Sequence, residues 1–477
     1  VVHGDAHGEG GEQVERAPPA GRVPALKRAF LVYAAIALVF GLGIAALIET
    51  GRRQNPRRET AVAAAPPQER FQEPLPRLFV QLLSILIATR LFGTLFAKIG
   101  QPAVVGEMFA GILLGPSLFG LLFPAGYEFV FPSSSLPALK LLSQIGICLF
   151  MFAVGMDLDL GQVRDHARTA IVVSHASILF PFFLGVAISL ALFRTLAGPS
   201  TSFVSFALFM GISMSITAFP VLARILQERG LTATPLGATA LTCAAVDDVT
   251  AWSLLAIVVA LVRSEGFLSA AGPLALAGLF VLFMLAFVRP RLGGWLRAEG
   301  SPGKGRIAGV LAITFTSALT TELIGIHSLF GAFLAGVIMP ADKEFRETLR
   351  HRIETFSSIF LVPLFFAFTG LRTQIGLLDD AAGWLLCGGI ILVATLGKLG
   401  GSLVAARLSG MPWRDSFALG ALMNTRGLME LIAINIGYDL GILSPRIFTV
   451  LVLMALVTTA MTGPLLSLAR PRLADRG

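Results

Sequence analysis

Two carboxylates stand side by side in LTCAAVDDVTAW, Asp247 and Asp248, with no other charge between Thr232 and Val262. A carboxylate in hydrocarbon is costly unless it is paired or reaches water, so such residues are candidates for function. Successive residues on a helix diverge by about 100°. One of the two can therefore face an ion cavity while the other faces a neighbouring helix. A carboxylate so placed can hold a proton or a monovalent cation, but not both. Lys398 stands alone in ILVATLGKLGGSLVA, and its natural partner is an Asp of the run 234–262. Low dielectric disfavours the ammonium and a nearby carboxylate compensates. A cation that captured the carboxylate would remove that compensation and drive a proton off.

Further polar groups interrupt otherwise apolar runs. In SMSITAFPVLARIL, Ser213, Ser215 and Thr217 precede Pro220. Proline removes a backbone donor and frees carbonyls, which together with the hydroxyls can coordinate a cation. In NTRGLMELI, Asn424, Thr425, Arg426 and Gly427 form a similar interruption, and Arg426 and Glu430 have the i, i+4 spacing of an ion pair. The candidate set for ion and proton binding is thus Asp248, Asp247, Lys398, Thr217 and Ser215. Of these, Asp248, Asp247 and Thr217 would ligate the transported cation. Arg426, Glu430 and Asn424 read as a structural ion pair or gate. Glu107, Glu322 and Arg90 are candidates for pairs within a membrane, and His175 and His327 read as hydrogen-bonded core residues. His166 and His351 fall in polar loops. Cys148, Cys243 and Cys387 lie in apolar runs without CxxC spacing, as small buried hydrophobes do. No resident cofactor is called for.

Positioning these groups requires membrane helices. Of the 477 residues, 55% are hydrophobic and only 14% charged, against about 25% in soluble proteins, which excludes an ordinary water-soluble enzyme. The apolar runs are unbroken for about 20 residues, the length of a spanning helix rather than of a β-barrel strand. Thirteen runs lie between residues 77 and 469, and a detached one at 29–48 reads as an extra N-terminal helix or an uncleaved signal. The expected class is an all-α polytopic membrane protein. Segment 1–28 reads as a disordered tail, 49–76 as a polar linker and 470–477 as a cytoplasmic tail.

Basic residues in alternate loops give the sides. One set of loops holds nineteen Lys and Arg residues, the other only Lys140, Arg194, Arg263, Arg372 and Arg446. The first set is therefore cytoplasmic, and so is the C-terminus. The formal charge of +8 is spread over loops and gathers on no one face, which argues against nucleic acid.

The chain also matches itself. IGQPAVVGEMFAG (Ile99–Gly111) aligns with IGIHSLFGAFLAG (Ile324–Gly336), and FAVGMDLD aligns with FTGLRTQ through Gly155 and Gly370. The offset is seven spans, an odd number, so the copies run in opposite directions. The expectation is two inverted six-helix repeats, 77–262 and 307–469, joined by a linker helix and loop at 263–306, with interrupted helices crossing at the midplane.

The strings SITAFPVLARIL, AAVDDVTAW, IGIHSLFGAFLAGVIMP, PLFFAFTGLRTQI, GKLGG and NTRGLMELIAINIG carry a resemblance. The sequence resembles the monovalent cation/proton antiporter superfamily, in the branch of plant cation/H⁺ exchangers and bacterial Na⁺(K⁺)/H⁺ antiporters. The resemblance implies a 13-helix fold with a dimer domain and a moving core domain. It also implies a homodimer in membrane lipid, in a bacterial inner membrane, exchanging Na⁺ or K⁺ for H⁺. By the same resemblance, Asp248 binds cation and proton alternately, Asp247 pairs with Lys398, and Thr217 lies in the broken helix beside the site. Two other classes stay open: a cation channel, which lacks a filter string here, and an organic-anion symporter, which Asp247 and Asp248 would oppose. An intramembrane enzyme would need a motif such as HExxH or GxSxG, and neither occurs.

Overall fold

The computed structural model describes residues 35, 38–50, 53, 73–157, 167–199, 201–232, 234–264, 267–296, 303–340 and 343–469. The expectations for 1–28, for most of 49–76, for His166 and for 470–477 lie outside the described residues, as does the His351 side chain. The chain divides into two units, Val1–Phe71 and Gln72–Gly477. In the first, the apolar run expected at 29–48 is described as a helix over Leu38–Thr50, about 20 Å long at 1.5 Å per residue.

In the second unit every named element is a helix. Those that matter to the site are, in chain order, α1 (Pro74–Lys98), α2 (Ala103–Leu114), α3 (Leu136–Asp157), α4 (Ala167–Leu196), α5 (Phe203–Ser215), α6 (Phe219–Glu228), α7 (Pro235–Arg263) and α8 (Phe267–Phe283). There follow α9 (Lys304–Ile324), α10 (Ser328–Val337), α11 (Lys343–Phe356), α12 (Val362–Leu371), α13 (Ala381–Leu408), α14 (Trp413–Met423), α15 (Leu428–Asp439) and α16 (Pro445–Ala469). Among the described residues eleven helices are long and apolar enough to cross a membrane, and α14 with α15 forms a bent pair that makes twelve. The thirteenth expected run, 327–340, is a difference. It holds only α10, about 15 Å long, which is half the hydrocarbon thickness. Gly325, at φ 95°, ends α9 in a left-handed cap that no β-branched side chain would adopt comfortably, and Pro340 stands just beyond the last turn of α10.

Within this one compact unit two groups of helices, or bodies, can be distinguished by the smaller buried apolar clusters, while the largest cluster spans both. One cluster joins Val173 of α4, Leu222 of α6, Ala240 of α7, Ala406 of α13, Leu419 of α14 and Leu466 of α16. Two others join the rest: Ile85, Leu139 and Leu364 of α1, α3 and α12, and Phe152, Val310 and Leu349 of α3, α9 and α11. The first body, the crossed bundle, contains both interrupted helices, α5–α6 and α14–α15. The second is a frame. The largest apolar cluster spans both, holding Met151, Phe333 and Phe365 of the frame and Phe209, Trp252 and Ile432 of the bundle. Its stacked Trp252 and Phe333 rings lie 6.4 Å apart.

Close helix approaches inside the frame come in pairs. A Cβ on Gly370 of α12 would lie 2.6 Å from the Gly111 Cα of α2, and a Cβ on Gly336 of α10 would lie 2.9 Å from the Gly155 Cα of α3. These four glycines are the ones the self-alignment equates, with partners exchanged between the halves.

Candidate functional site

The site is built from two helix breaks. α5 ends at Ser215, Ile216 is extended, and α6 restarts at Phe219 with Pro220 in its first turn, where a missing N–H costs nothing. α14 ends at Met423 and α15 restarts at Leu428 with a 43° bend. The breaks are tied together: the Ala218 amide donates to the Thr425 carbonyl at 3.0 Å, and the Thr217 hydroxyl donates to the Met423 carbonyl at 3.3 Å. Thr459 of α16 braces the second break from behind, accepting from the Arg426 amide at 3.2 Å and donating to the Arg426 carbonyl at 2.9 Å.

A broken helix exposes carbonyls at one end and amides at the other, with partial charges to match. Both ends are answered here. Arg426 donates to the Ser213 and Met214 carbonyls of α5 at 2.9 and 2.8 Å, and Lys398 donates to the Ser215 carbonyl. Opposite them, α6 starts at Phe219, and Glu430 sits in the first turn of α15. Arg426 and Glu430 are both fully buried and 3.1 Å apart.

The two adjacent aspartates have different surroundings. Asp247 is saturated: Ser174 donates to Oδ1 at 2.6 Å, while Oδ2 accepts from Thr217 at 2.6 Å, Ser177 at 2.8 Å and the Lys398 ammonium at 3.0 Å. Asp248 is 2% exposed, and its Oδ1 has no hydrogen-bond partner among the described residues. The same holds for both amide atoms of Asn424 and for the Ser213 hydroxyl. A buried polar atom without a partner costs about 1–3 kcal/mol, so several at one crossing mark a place where water or an ion belongs.

Lys398 is placed by a π-turn, Leu396–Gly400, within α13. Such wide turns recur at functional sites. Gly397 beside it lets α13 approach α4, since a Cβ there would lie 3.1 Å from the Pro181 Cα. The ammonium also donates to the Ser177 carbonyl at 3.0 Å.

Sequence reasoning missed Ser174 and Ser177. Their i, i+3 spacing in an apolar helix was the available signal, but nothing in the sequence said which helix would face Asp247. Ser215 belongs to the site through its carbonyl, because its hydroxyl donates to Gly211 at 2.7 Å and Ile178 at 3.1 Å. His175 is a correction: it is exposed on α4, with Nδ1 2.8 Å from the Ile171 carbonyl, because the inward side of α4 is taken by Ser174 and Ser177. His327 caps α10, accepting from the Leu329 amide at 3.4 Å. Glu322 pairs with Arg263 at 3.2 Å, and Arg90 donates to the Ile359 carbonyl at 3.1 Å. Glu107 lies against Gly93 of α1. The three cysteines are free and buried. Among the described residues no cluster of His, Cys, Asp and Glu could hold a resident metal.

With this geometry in place, four similarities are informative. The profile of the family described as "Sodium/hydrogen exchanger, transmembrane" matches residues 83–469. The Na⁺/H⁺ antiporter NhaS4 of Synechocystis is 44% identical over 392 residues, 81% of this chain and 96% of that protein. The K⁺/H⁺ antiporter 1 of Saccharomyces cerevisiae is 34% identical over 401 residues, 83% of this chain and 48% of its own length. Among solved structures, the sodium proton antiporter MjNhaP1 of Methanocaldococcus jannaschii superposes with a TM-score of 0.63 at 14% identity. It covers 84% of this chain and 100% of that one, a likeness of fold.

Proposed function

Because this chain belongs to the sodium/hydrogen exchanger transmembrane family, we propose that it is a secondary antiporter exchanging a monovalent cation, Na⁺ or K⁺, for protons across a membrane. The observation that carries the mechanism is the contrast between the two aspartates. Both oxygens of Asp247 are already engaged, by Ser174 on one and by Thr217, Ser177 and Lys398 on the other, so it serves as the fixed counter-charge of Lys398. Asp248 has an oxygen without a hydrogen-bond partner among the described residues, as do the Asn424 amide and the Ser213 hydroxyl, so it takes a cation or a proton in turn. Competition for one carboxylate gives obligatory exchange without any further coupling device. Thr217, fastened to Asp247, holds the first break open beside Asp248 and offers its oxygen to the cation.

Alternating access is the second part of the proposal. The interchanged glycine contacts, Gly111 on α12 and Gly336 on α3, support two inverted copies within a 13-helix arrangement in which α10 is one short member. Each copy contributes one broken helix to the midplane. The largely apolar contact between the two supports movement of the crossed bundle against the frame, with the few polar links across it, such as Asn435 to Thr369, opening as it moves. The loop charges support a cytoplasmic C-terminus, and a homodimer in a bacterial inner membrane is the assembly the resemblance implies.

Inside-out vesicles carrying an imposed proton gradient, challenged separately with Na⁺, Li⁺ and K⁺, test the reading. At least one cation is expected to dissipate the gradient, and Asp248→Asn to reduce that flux by more than about 100-fold while the protein still inserts and runs monodisperse. Equal activity in Asp248→Asn, or indifference to all three cations, would overturn it.

A further inference from the structure

The loops assigned to the outer side carry only five basic residues, and four of them are paired with acids: Lys140 with Asp439, Arg372 with Asp439, Arg263 with Glu322 and Arg446 with Asp380. Positive charge is disfavoured on that side, so its persistence in pairs calls for an explanation. Three of the four pairs join the two bodies. Lys140 is the fifth residue of α3 and Arg372 follows α12, both in the frame, whereas Asp439 is the last residue of α15 in the crossed bundle. Arg263 ends α7 of the bundle, and Glu322 lies near the end of α9 in the frame.

The first of these junctions is a built network. Asp439 receives Lys140 at 2.9 Å on Oδ2 and Arg372 on Oδ1. Arg372 also donates to Asn435 Oδ1 at 3.0 Å, and Asn435 donates in turn to Thr369 of α12 at 2.9 Å. The guanidinium lies 4.9 Å from the Phe368 ring centroid of the frame and 4.5 Å from that of Tyr438 of the bundle, so its position is fixed from both bodies. Beneath the network is a cavity of about 30 Å³ lined by Lys140, Ser143, His327, Arg372, Asn435 and Asp439, among others. That volume holds a water or two and excludes a hydrated cation. α15 runs unbroken from the break at Gly427 to this network, so the latched residue and the ion crossing are two ends of one helix.

We infer that Asp439, gripped by Lys140 and Arg372, is an outer latch that keeps the crossed bundle docked on the frame and closes the site to the outer side, with Arg263–Glu322 as a second clasp. The inference rests on the proposed alternating access and sidedness, but its test does not use transport. In a chain with Cys148, Cys243 and Cys387 replaced by Ala, Ser143→Cys puts a thiol in the cavity, where the native Ser143 is 1% exposed. A membrane-impermeant maleimide added from outside should label it slowly. Adding Lys140→Gln and Arg372→Gln should speed labelling by about tenfold or more, since Asp439 loses both anchors. The unaltered latch offers a version that no folding defect can confuse. Its partners are 16–34% exposed, so raising salt from about 0.02 to 1 M should speed labelling of the parent by screening, and should leave the Gln variant unmoved.

Labelling that is equally slow with and without the anchors, or insensitive to salt in the parent, overturns the latch. Vesicles that exchange cations for protons while labelling fails to respond overturn the latch alone. Labelling that responds in vesicles where no cation moves protons overturns the antiport reading alone and upholds the latch.

Discussion

The ion pairs at the crossing and those at the outer end use the same residue types in opposite physical regimes. Lys398–Asp247 and Arg426–Glu430 are fully buried, whereas the partners of the outer network are between 16% and 34% exposed. A buried pair is weakly stabilising as a whole but costly to break, because the surviving charge has no water to turn to. An exposed pair contributes at most about 1 kcal/mol and is screened by salt. The difference suits the two places. Under the proposed antiport, the ion site would keep its charges fixed while ions come and go, and a contact between the two bodies would be easy to open.

The comparison can be strained hardest at Asp247. Asp247→Asn leaves Lys398 buried with carbonyls and hydroxyls alone, and should cost about 3–5 kcal/mol, read as a lowered midpoint of thermal unfolding in detergent. Adding Lys398→Met to it should restore most of the loss. If the double variant is no more stable than the single one, the pair is not the unit that matters.

A smaller effect distinguishes the members of the second buried pair. Arg426 holds two carbonyls of α5 as well as Glu430, so Arg426→Met should destabilise by roughly 2–4 kcal/mol and Glu430→Gln by about half of that or less. The same thermal measurement would show the reverse order if the ion pair, rather than the grip on α5, were the main contribution.

The smallest effect is expected outside. Lys140→Gln should change the midpoint by the equivalent of about 1 kcal/mol or less, and the change should vanish in high salt. A large, salt-independent loss would place Lys140 with the buried pairs and erase the contrast.

Much of the site could be read from the chain because a charge in an apolar run has so few reasons to exist. Asp247, Asp248, Lys398, Arg426 and Glu430 stood out on that ground, and Pro220 and Gly427 marked the breaks. Ser174 and Ser177 did not, because a hydroxyl in a membrane helix can satisfy itself on its own backbone and so leaves no trace of a distant partner. Asp439 was passed over for a similar reason, since an acid at a helix end is ordinary. Run length also misled at 327–340: hydropathy counts apolar residues, but where α10 starts is set by the turn at Gly325.

By itself the sequence determined that the chain is a bundle of membrane helices, that a few charges lie inside it, and that two helices are interrupted. These follow from composition, run length and the chemistry of proline, all of which are local. Only the tertiary structure decided which aspartate is consumed by Lys398 and which keeps a free oxygen. The two are neighbours with identical side chains, and what separates them is the 100° between their directions and the different helices, α4 and α13 on one side and the crossing on the other, that each direction meets.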